Sequence, residues 1–357
     1  MELSQKEHGI IITQTPFRIS FFGGGTDFPE YFNKEGSSVI GTAIDKYIYV
    51  TLNSLDRFFE KRIRFSYSKL ENVDDPSELD HAIVKCILNK HRAIDDNSFL
   101  DIHTYADLPS SSGVGSSSSF TVGMLNALYL LGGIYRTPEL IAKEAISVER
   151  DELKEAGGWQ DQVLAAYGGF NRIFFHDGKF RIEPIRLPLF KRRALEAACM
   201  MFFTGDTRSS AKIQESVLAP CQQETHGYLG KIRLLAEQGF EVLNLPDSVD
   251  TLINEFGVLL DRAWQVKRGL SSQVSNDKID QMYAVALKAG ALGGKLCGAG
   301  GGGFLLLIVP EAKQESVASA LKGYKQLKIA FEDHGSRVIY SKACQTPILS
   351  RYNHAVV

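Results

Sequence analysis

Residues 107–120 read Asp107-Leu-Pro-Ser-Ser-Ser-Gly-Val-Gly-Ser-Ser-Ser-Ser-Phe120 and run without a break into an apolar helical pattern. Gly113 and Gly115 let the backbone approach an anion and take turns that a Cβ would forbid. Ser116 to Ser119 then supply backbone N–H groups and hydroxyls at a helix start, where the first donors are unpaired and the dipole is positive. A Ser/Gly linker between domains would not be flanked so tightly by ordered elements. Here Phe120, Met124 and Leu128 recur at i, i+4 and i+8, Leu125 joins their face, and Gly132-Gly133 stands where a C-cap glycine belongs. The segment reads as a phosphate cradle that opens a helix.

The rest of the chain sets limits on what that cradle serves. With 357 residues there is room for two domains, each with its own core. The composition, 44% hydrophobic and 23% charged with a net charge of −2, is that of a soluble globular protein and offers no broad basic surface for nucleic acid. The one dense basic run, Lys191-Arg192-Arg193, reads as a solvated connector. Five scattered cysteines without CxxC spacing fit a reduced, cytoplasmic setting. Residues 1–9 lack an apolar signal core, and the run Phe304 to Val309 stops at Pro310, too short to span a bilayer.

Strands are expected at 10–22 and 38–52, helices at 78–94, 116–131, 138–156 and 159–166. Residues 170–175 and 180–185 flank His176-Asp-Gly-Lys179, a hairpin signal. The stretch 184–195 is the candidate domain boundary. Beyond it come a strand at 198–203, helices at 208–240, 247–267 and 276–290, and strands at 303–309 and 337–342.

Two further glycine segments stand out. Gly298-Ala-Gly-Gly-Gly-Gly303 matches G-x-G-x-x-G, but it opens a strand, whereas a dinucleotide fingerprint follows a strand and opens a helix. It reads as a loop that packs against the first cradle or closes over a ligand, or as a tight turn without function. The second, Thr15-Pro-Phe-Arg-Ile-Ser-Phe-Phe-Gly-Gly-Gly-Thr-Asp27, holds Arg18 and Asp27 around a glycine apex. A cation and a carboxylate so placed suit a polyhydroxylated ligand, although each alone is an ordinary surface charge.

Taken in order, T-P-F-R-I-S-F-F-G-G-G-T-D, P-S-S-S-G-V-G-S-S-S-S and K-L-C-G-A-G-G-G-G-F make the chain resemble the GHMP kinases, over residues 15 to 304. Within that family the first motif is most similar to bacterial D-glycero-D-manno-heptose 7-phosphate kinases, which phosphorylate the anomeric hydroxyl. The resemblance implies an α+β protein of two domains. Residues 1–195 would form a ribosomal-protein-S5-domain-2-like ATP-binding domain and residues 196–357 a ferredoxin-like one, with the active site between them. It also implies ATP and Mg2+ as cofactors, a small sugar phosphate as partner, and no nucleic acid or membrane.

The resemblance assigns the ATP phosphates to Pro109 and to Ser112, Gly113, Val114, Gly115, Ser116, Ser117 and Ser118. It assigns magnesium to Ser117 and Glu149. Independently, Ile141, Ala145, Glu149 and Leu153 recur every four residues, so Glu149 interrupts an apolar stripe and needs a positive partner. That partner is magnesium, or else Arg18 or Arg150. Asp161, in Gly157-Gly-Trp-Gln-Asp-Gln162, resembles the aspartate that takes the acceptor proton, with Arg18 as the catalytic cation. Read alone, Asp161 only favours a helix dipole. Gly24, Gly25, Thr26, Asp27, Gly300 and Gly301 are expected at the acceptor, with Arg208 meeting its phosphate or merely following an N-cap at Thr207. Where the galactokinase branch carries Glu-His-Thr-Asp this chain has Gly24-Gly25-Thr26-Asp27, which speaks against galactose and leaves room for a larger sugar. Phe17 replaces the family's small glycine, and nothing in the sequence explains it. Three readings stand: a heptose-phosphate 1-kinase supplying activated heptose for surface glycoconjugates, a kinase for another acceptor such as fucose, galactose or an isoprenoid alcohol, and a non-catalytic sugar sensor.

Overall fold

The structure, a computed structural model, describes residues 9–55, 58–91, 99–205, 223–245 and 248–342. The expectations at Arg208 and Thr207, and the start of the 208–240 helix, lie outside these residues.

Two long strands, β1 (Ile10–Phe22) and β2 (Ser37–Leu55), form the spine of a nine-stranded sheet. β2 also pairs with β5 (Phe99–Ala106) and with β6 (Phe170–His176). Beyond β5 come β3 (Ile63–Ser66), which runs parallel to it, and β4 (Leu70–Val73). The hairpin from β6 to β7 (Lys179–Pro184) turns at Asp177 and Gly178, both with positive φ, as its sequence predicts. The second sheet has four antiparallel strands in the order Lys325–Leu327 (β11), Cys199–Phe203 (β8), Phe304–Ile308 (β10) and Gly293–Leu296 (β9). The chain then returns: β12 (Phe331–Glu332) pairs with β2 and β13 (Arg337–Lys342) with β1. Strands beyond residue 330 thus complete the first sheet, on the far side of the expected boundary at 195/196. The architecture is α+β.

The helix Ser116–Leu131 packs on β1 and β2, burying Val122, Met124, Leu125 and Leu128. Helices Val249–Arg268 and Asp277–Ala289 lie against the second sheet at the expected places. The structure differs from the sequence reading in several places. The helix expected over 138–156 is α only through Ile146 and continues as a π turn, Ser147–Glu152. The 184–195 stretch contains a helix, Leu189–Ala198, whose Lys191 is 7% exposed and donates to the Leu245 carbonyl at 2.7 Å, so the basic run is only partly solvated. The strands β3, β4, β5, β9, β11 and β12 and the helices Pro29–Glu35 and Glu311–Ala320 were not anticipated. Among the described residues no helix is long and apolar enough to cross a membrane.

Candidate active site

Backbone, not side chains, shapes the cradle. Ser111, Gly113 and Gly115 have positive φ, and Gly115 caps the Ser116–Leu131 helix in the left-handed region with no side-chain cap bond. The helix N-terminus is therefore left to a ligand. Gly113, Gly115, Ser116, Ser117 and Ser118 line a cleft with the third glycine loop and the β1 turn. Pro109, Ser112 and Val114 do not line it. Ser112 Oγ donates to the Pro109 carbonyl at 2.7 Å, and the Val114 carbonyl accepts the Arg18 N–H at 3.0 Å, so these residues fix the loop on β1.

The third loop sits directly on the cradle. A Cβ on Gly113 would stand 2.5 Å from the Cys297 carbonyl oxygen, and one on Gly298 2.6 Å from Gly113 Cα. The Phe304 N–H donates to the Ser112 carbonyl at 3.3 Å. Gly300 lines the cleft, whereas Gly301 is buried behind it with its N–H on the Val274 carbonyl. Cys297 is 2% exposed and burial pushes its thiol up, in keeping with a packing role.

Arg18 and Asp161 meet at the mouth of the cradle. Arg18 Nε donates to Asp161 Oδ1 at 2.7 Å, Nη2 donates to Oδ2, and Nη1 donates to the Gly113 carbonyl at 2.7 Å. Arg18 is 4% exposed; burial opposes its charge, but the Asp161 carboxylate outweighs burial and raises its pKa. Asp27, 1% exposed, accepts from the Gly25 N–H at 3.0 Å, the Gln160 N–H at 3.1 Å and Gln160 Nε2 at 3.2 Å. Burial raises its pKa, with Asp161 nearby adding to the shift. Gly24 and Gly25 line the same cleft, but Thr26 does not: its hydroxyl closes the turn on the Gly23 carbonyl at 2.8 Å.

Glu149 projects from the π turn, a local widening that often marks functional positions. It pairs with neither arginine offered by the sequence, since Arg18 is taken by Asp161 and Arg150 by Glu30. Ser118 Oγ donates to Glu149 Oε2 at 2.9 Å and Gln162 Nε2 donates to the same oxygen at 2.6 Å. The serine against Glu149 is thus Ser118; Ser117, one residue earlier, is exposed in the cleft. Among the described residues Oε1 has no hydrogen-bond partner by geometry, and burial pushes the carboxyl up to about 7 against the opposing hydroxyls of Thr121 and Ser118. An unpartnered carboxylate oxygen beside hydroxyls and a phosphate cradle is a donor set that fits a hard cation completing its shell with phosphate oxygens. Ser20 Oγ, Gln160 Oε1 and Gln162 Oε1 are buried, unpartnered and on the same cleft, which marks it as built for a polar ligand.

Two lysines that the sequence reading passed over also line the cleft. Lys267, 9% exposed, donates to the Gly298 carbonyl at 2.6 Å. Lys295, 5% exposed, donates to the Ser20 and Phe21 carbonyls at 2.8 and 3.2 Å. Burial brings Lys267 down to about 8, and burial together with the neighbouring Lys267 lowers Lys295. Lys295 lies within the third motif, but only its burial distinguishes it.

Comparison with known proteins agrees with this arrangement. The family model for the GHMP kinases N terminal domain matches residues 81–169 and that for GHMP kinases C terminal matches residues 242–326. A D-glycero-alpha-D-manno-heptose 7-phosphate kinase from Campylobacter jejuni is 34% identical over 338 residues, covering 88% of this chain and 95% of the relative. Among solved structures, a D-glycero-D-manno-heptose 1-phosphate kinase from Bacteroides thetaiotaomicron superposes with a TM-score of 0.74 at 23% identity, covering 92% of this chain and 99% of that one. A putative sugar kinase from Campylobacter jejuni gives 0.68 at 25%, covering 95% and 100%. The cradle, the interlocked glycine loops and these likenesses agree: the chain belongs to the GHMP kinases, ATP-dependent phosphotransferases with an alcohol group as acceptor.

Proposed function

We propose that this kinase acts on a sugar, and that its acceptor is the anomeric hydroxyl of D-glycero-D-manno-heptose 7-phosphate, giving the 1,7-bisphosphate. The observation that carries the reading is the Arg18–Asp161 pair, held between the phosphate cradle and the buried Asp27 beside Gly24-Gly25. Asp27 has the chemistry to accept sugar hydroxyl protons, and two glycines leave space where bulkier side chains would crowd a seven-carbon sugar. The 34% identity to a heptose 7-phosphate kinase supports the same acceptor.

In this reading ATP lays its triphosphate on the N–H groups from Gly113 to Ser118. The acceptor oxygen attacks the γ-phosphorus and its proton passes to an Asp161 carboxylate oxygen. The bond from the γ-phosphorus to the bridging oxygen breaks, and its electron pair leaves on ADP. Arg18 fixes the Asp161 carboxylate through two hydrogen bonds and keeps the site's charge balanced. Glu149 Oε1 with Ser117 or Ser118 would hold Mg2+, which when bound neutralises phosphate charge.

The test is ADP release with MgATP against heptose 7-phosphate, its unphosphorylated sugar, galactose, fucose and mevalonate. Turnover confined to the heptose phosphate is expected, with kcat about 10³-fold lower in Asp161→Asn. Faster turnover of another acceptor overturns the substrate. Full activity in Asp161→Asn removes that residue from the chemistry.

A further inference from the structure

Three buried cations, Arg18, Lys267 and Lys295, share the cleft, and the mechanism above uses only the first. Arg18 has spent its charge on Asp161 through a bidentate pair. Among the described residues, neither lysine has an ion-pair partner; each is held by backbone carbonyls alone. Uncompensated ammonium groups are costly to bury, so their retention beside a phosphate cradle points to an anionic ligand that arrives later.

Their anchors say which part of the ligand they meet. Lys267 is tied to Gly298, which lies on Gly113, and the Gly113 carbonyl in turn accepts from Arg18 Nη1. Lys295 is tied to the Ser20 and Phe21 carbonyls near the end of β1, the strand that carries Arg18, and lines the same cleft as Arg18 and Asp161. Both ammonium groups therefore flank the place where the cradle ends and the Arg18–Asp161 pair begins. An ammonium has three donors. Lys267 has committed one of them and Lys295 two, which leaves free N–H groups for an incoming oxygen.

We propose that Lys267 and Lys295 are catalytic residues that bind the γ-phosphoryl group of the nucleotide and stabilise it during transfer. A phosphoryl group in flight spreads negative charge over three equatorial oxygens, and preformed cations in a water-poor site are well suited to meet it. The inference rests on the kinase assignment and on no particular acceptor.

A pH signature follows from the surroundings. Lys267 faces Arg18, Asp27, Asp161, the protonated Cys297 thiol and Lys295. Burial lowers both lysines, and Lys267, at about 8, titrates within the working range. The free enzyme should thus lose kcat/KM for MgATP as pH rises through about 8.

The experiment compares dissociation constants for ADP and for a non-hydrolysable ATP analogue, with Mg2+ and no acceptor, in the wild type and in Lys267→Met and Lys295→Met. The expected result is at least a tenfold loss of the preference for the triphosphate in each variant. An equal fall in both affinities means that the lysines only support the fold and overturns the proposal, as does an unchanged preference. Lys267→Arg, whose charge does not titrate, should restore the preference and remove the alkaline fall in kcat/KM; failure to do either also counts against the proposal. Because no acceptor is present in the binding assay, failure of the heptose reading leaves this result intact.

Discussion

A carboxyl that is 4% exposed, with one oxygen unpartnered, works against the fold whenever it ionises. Glu149 in the unfolded chain releases its proton near 4.5, but in the folded protein near 7, so the native state holds more protons in between. Stability of the metal-free protein should fall as pH rises across that window, by up to ~3 kcal/mol. Glu149→Gln keeps an acceptor for Ser118 and Gln162 but cannot ionise. In chelator, its melting temperature should exceed that of the wild type at pH 8, and the gap should close near pH 5; a gap independent of pH would refute the account. At this scale the sequence was legible where a residue interrupts a pattern, as Glu149 does in its stripe. It was silent on Lys267 and Lys295, because a lysine on an amphipathic helix or in a short strand looks solvated until the other half of the molecule covers it. The choice between Ser117 and Ser118 depended on the rotation of the helix, which spacing alone does not fix.

At the scale of elements, the decisive feature is backbone meeting backbone. The cradle and the third loop come from distant parts of the chain, yet they touch with no side chain between them: a Cβ on Gly298 would lie 2.6 Å from Gly113 Cα, and one on Gly303 2.3 Å from the Ser112 carbonyl oxygen. Gly298 also has φ +72°, which L side chains rarely adopt. Gly298→Ala should therefore displace the cradle, cost about 1–3 kcal/mol from backbone strain alone, and raise KM for MgATP at least tenfold. Thermal unfolding and initial rates would check both parts, and an unchanged KM would show that the cradle holds its shape without the third loop. The sequence pointed to this contact because five glycines in six residues have few other uses. It gave no sign that the Pro138–Ile146 helix widens into a π turn, since Ser147–Glu152 contains no glycine or proline to mark it. β5 was missed for another reason. Leu100 and Ile102 alternate with polar Asp101 and His103 as a half-buried strand requires, but Asp is depleted from strands, and here it is held by Arg64 of the neighbouring β3, a partner the local sequence does not show.

At the scale of the whole molecule, one face of the second sheet joins the core of the first, while its other face, with Met200, Phe202, Leu305 and Leu307, packs into a second core around Trp264 and Met282. Phe21 and Phe22 of β1 each meet Phe256 of the Val249–Arg268 helix edge-on, with ring centroids 5.1 Å apart, and the same cluster takes in Met201, Leu306 and Ile308 of the second sheet. The return of β12 and β13 to the first sheet ties the end of the chain to its beginning. Two cores were expected from length, and two clusters are present, but sequence patterns show only which faces are apolar and not that the larger cluster joins both sheets. If the halves were independent, each would unfold at its own temperature, as multidomain chains often do. With Phe256 wedged between them, melting either half exposes apolar surface of the other, and the two should unfold together. Scanning calorimetry of the ligand-free protein should give one transition whose calorimetric and van't Hoff enthalpies agree. Phe256→Ala removes a fully buried ring and should cost about 3–5 kcal/mol, shifting that single transition downward as a whole. Two resolved transitions in the wild type would refute the shared core, and a variant in which only one part of the melt moves would show that Phe256 serves one half and does not couple the two.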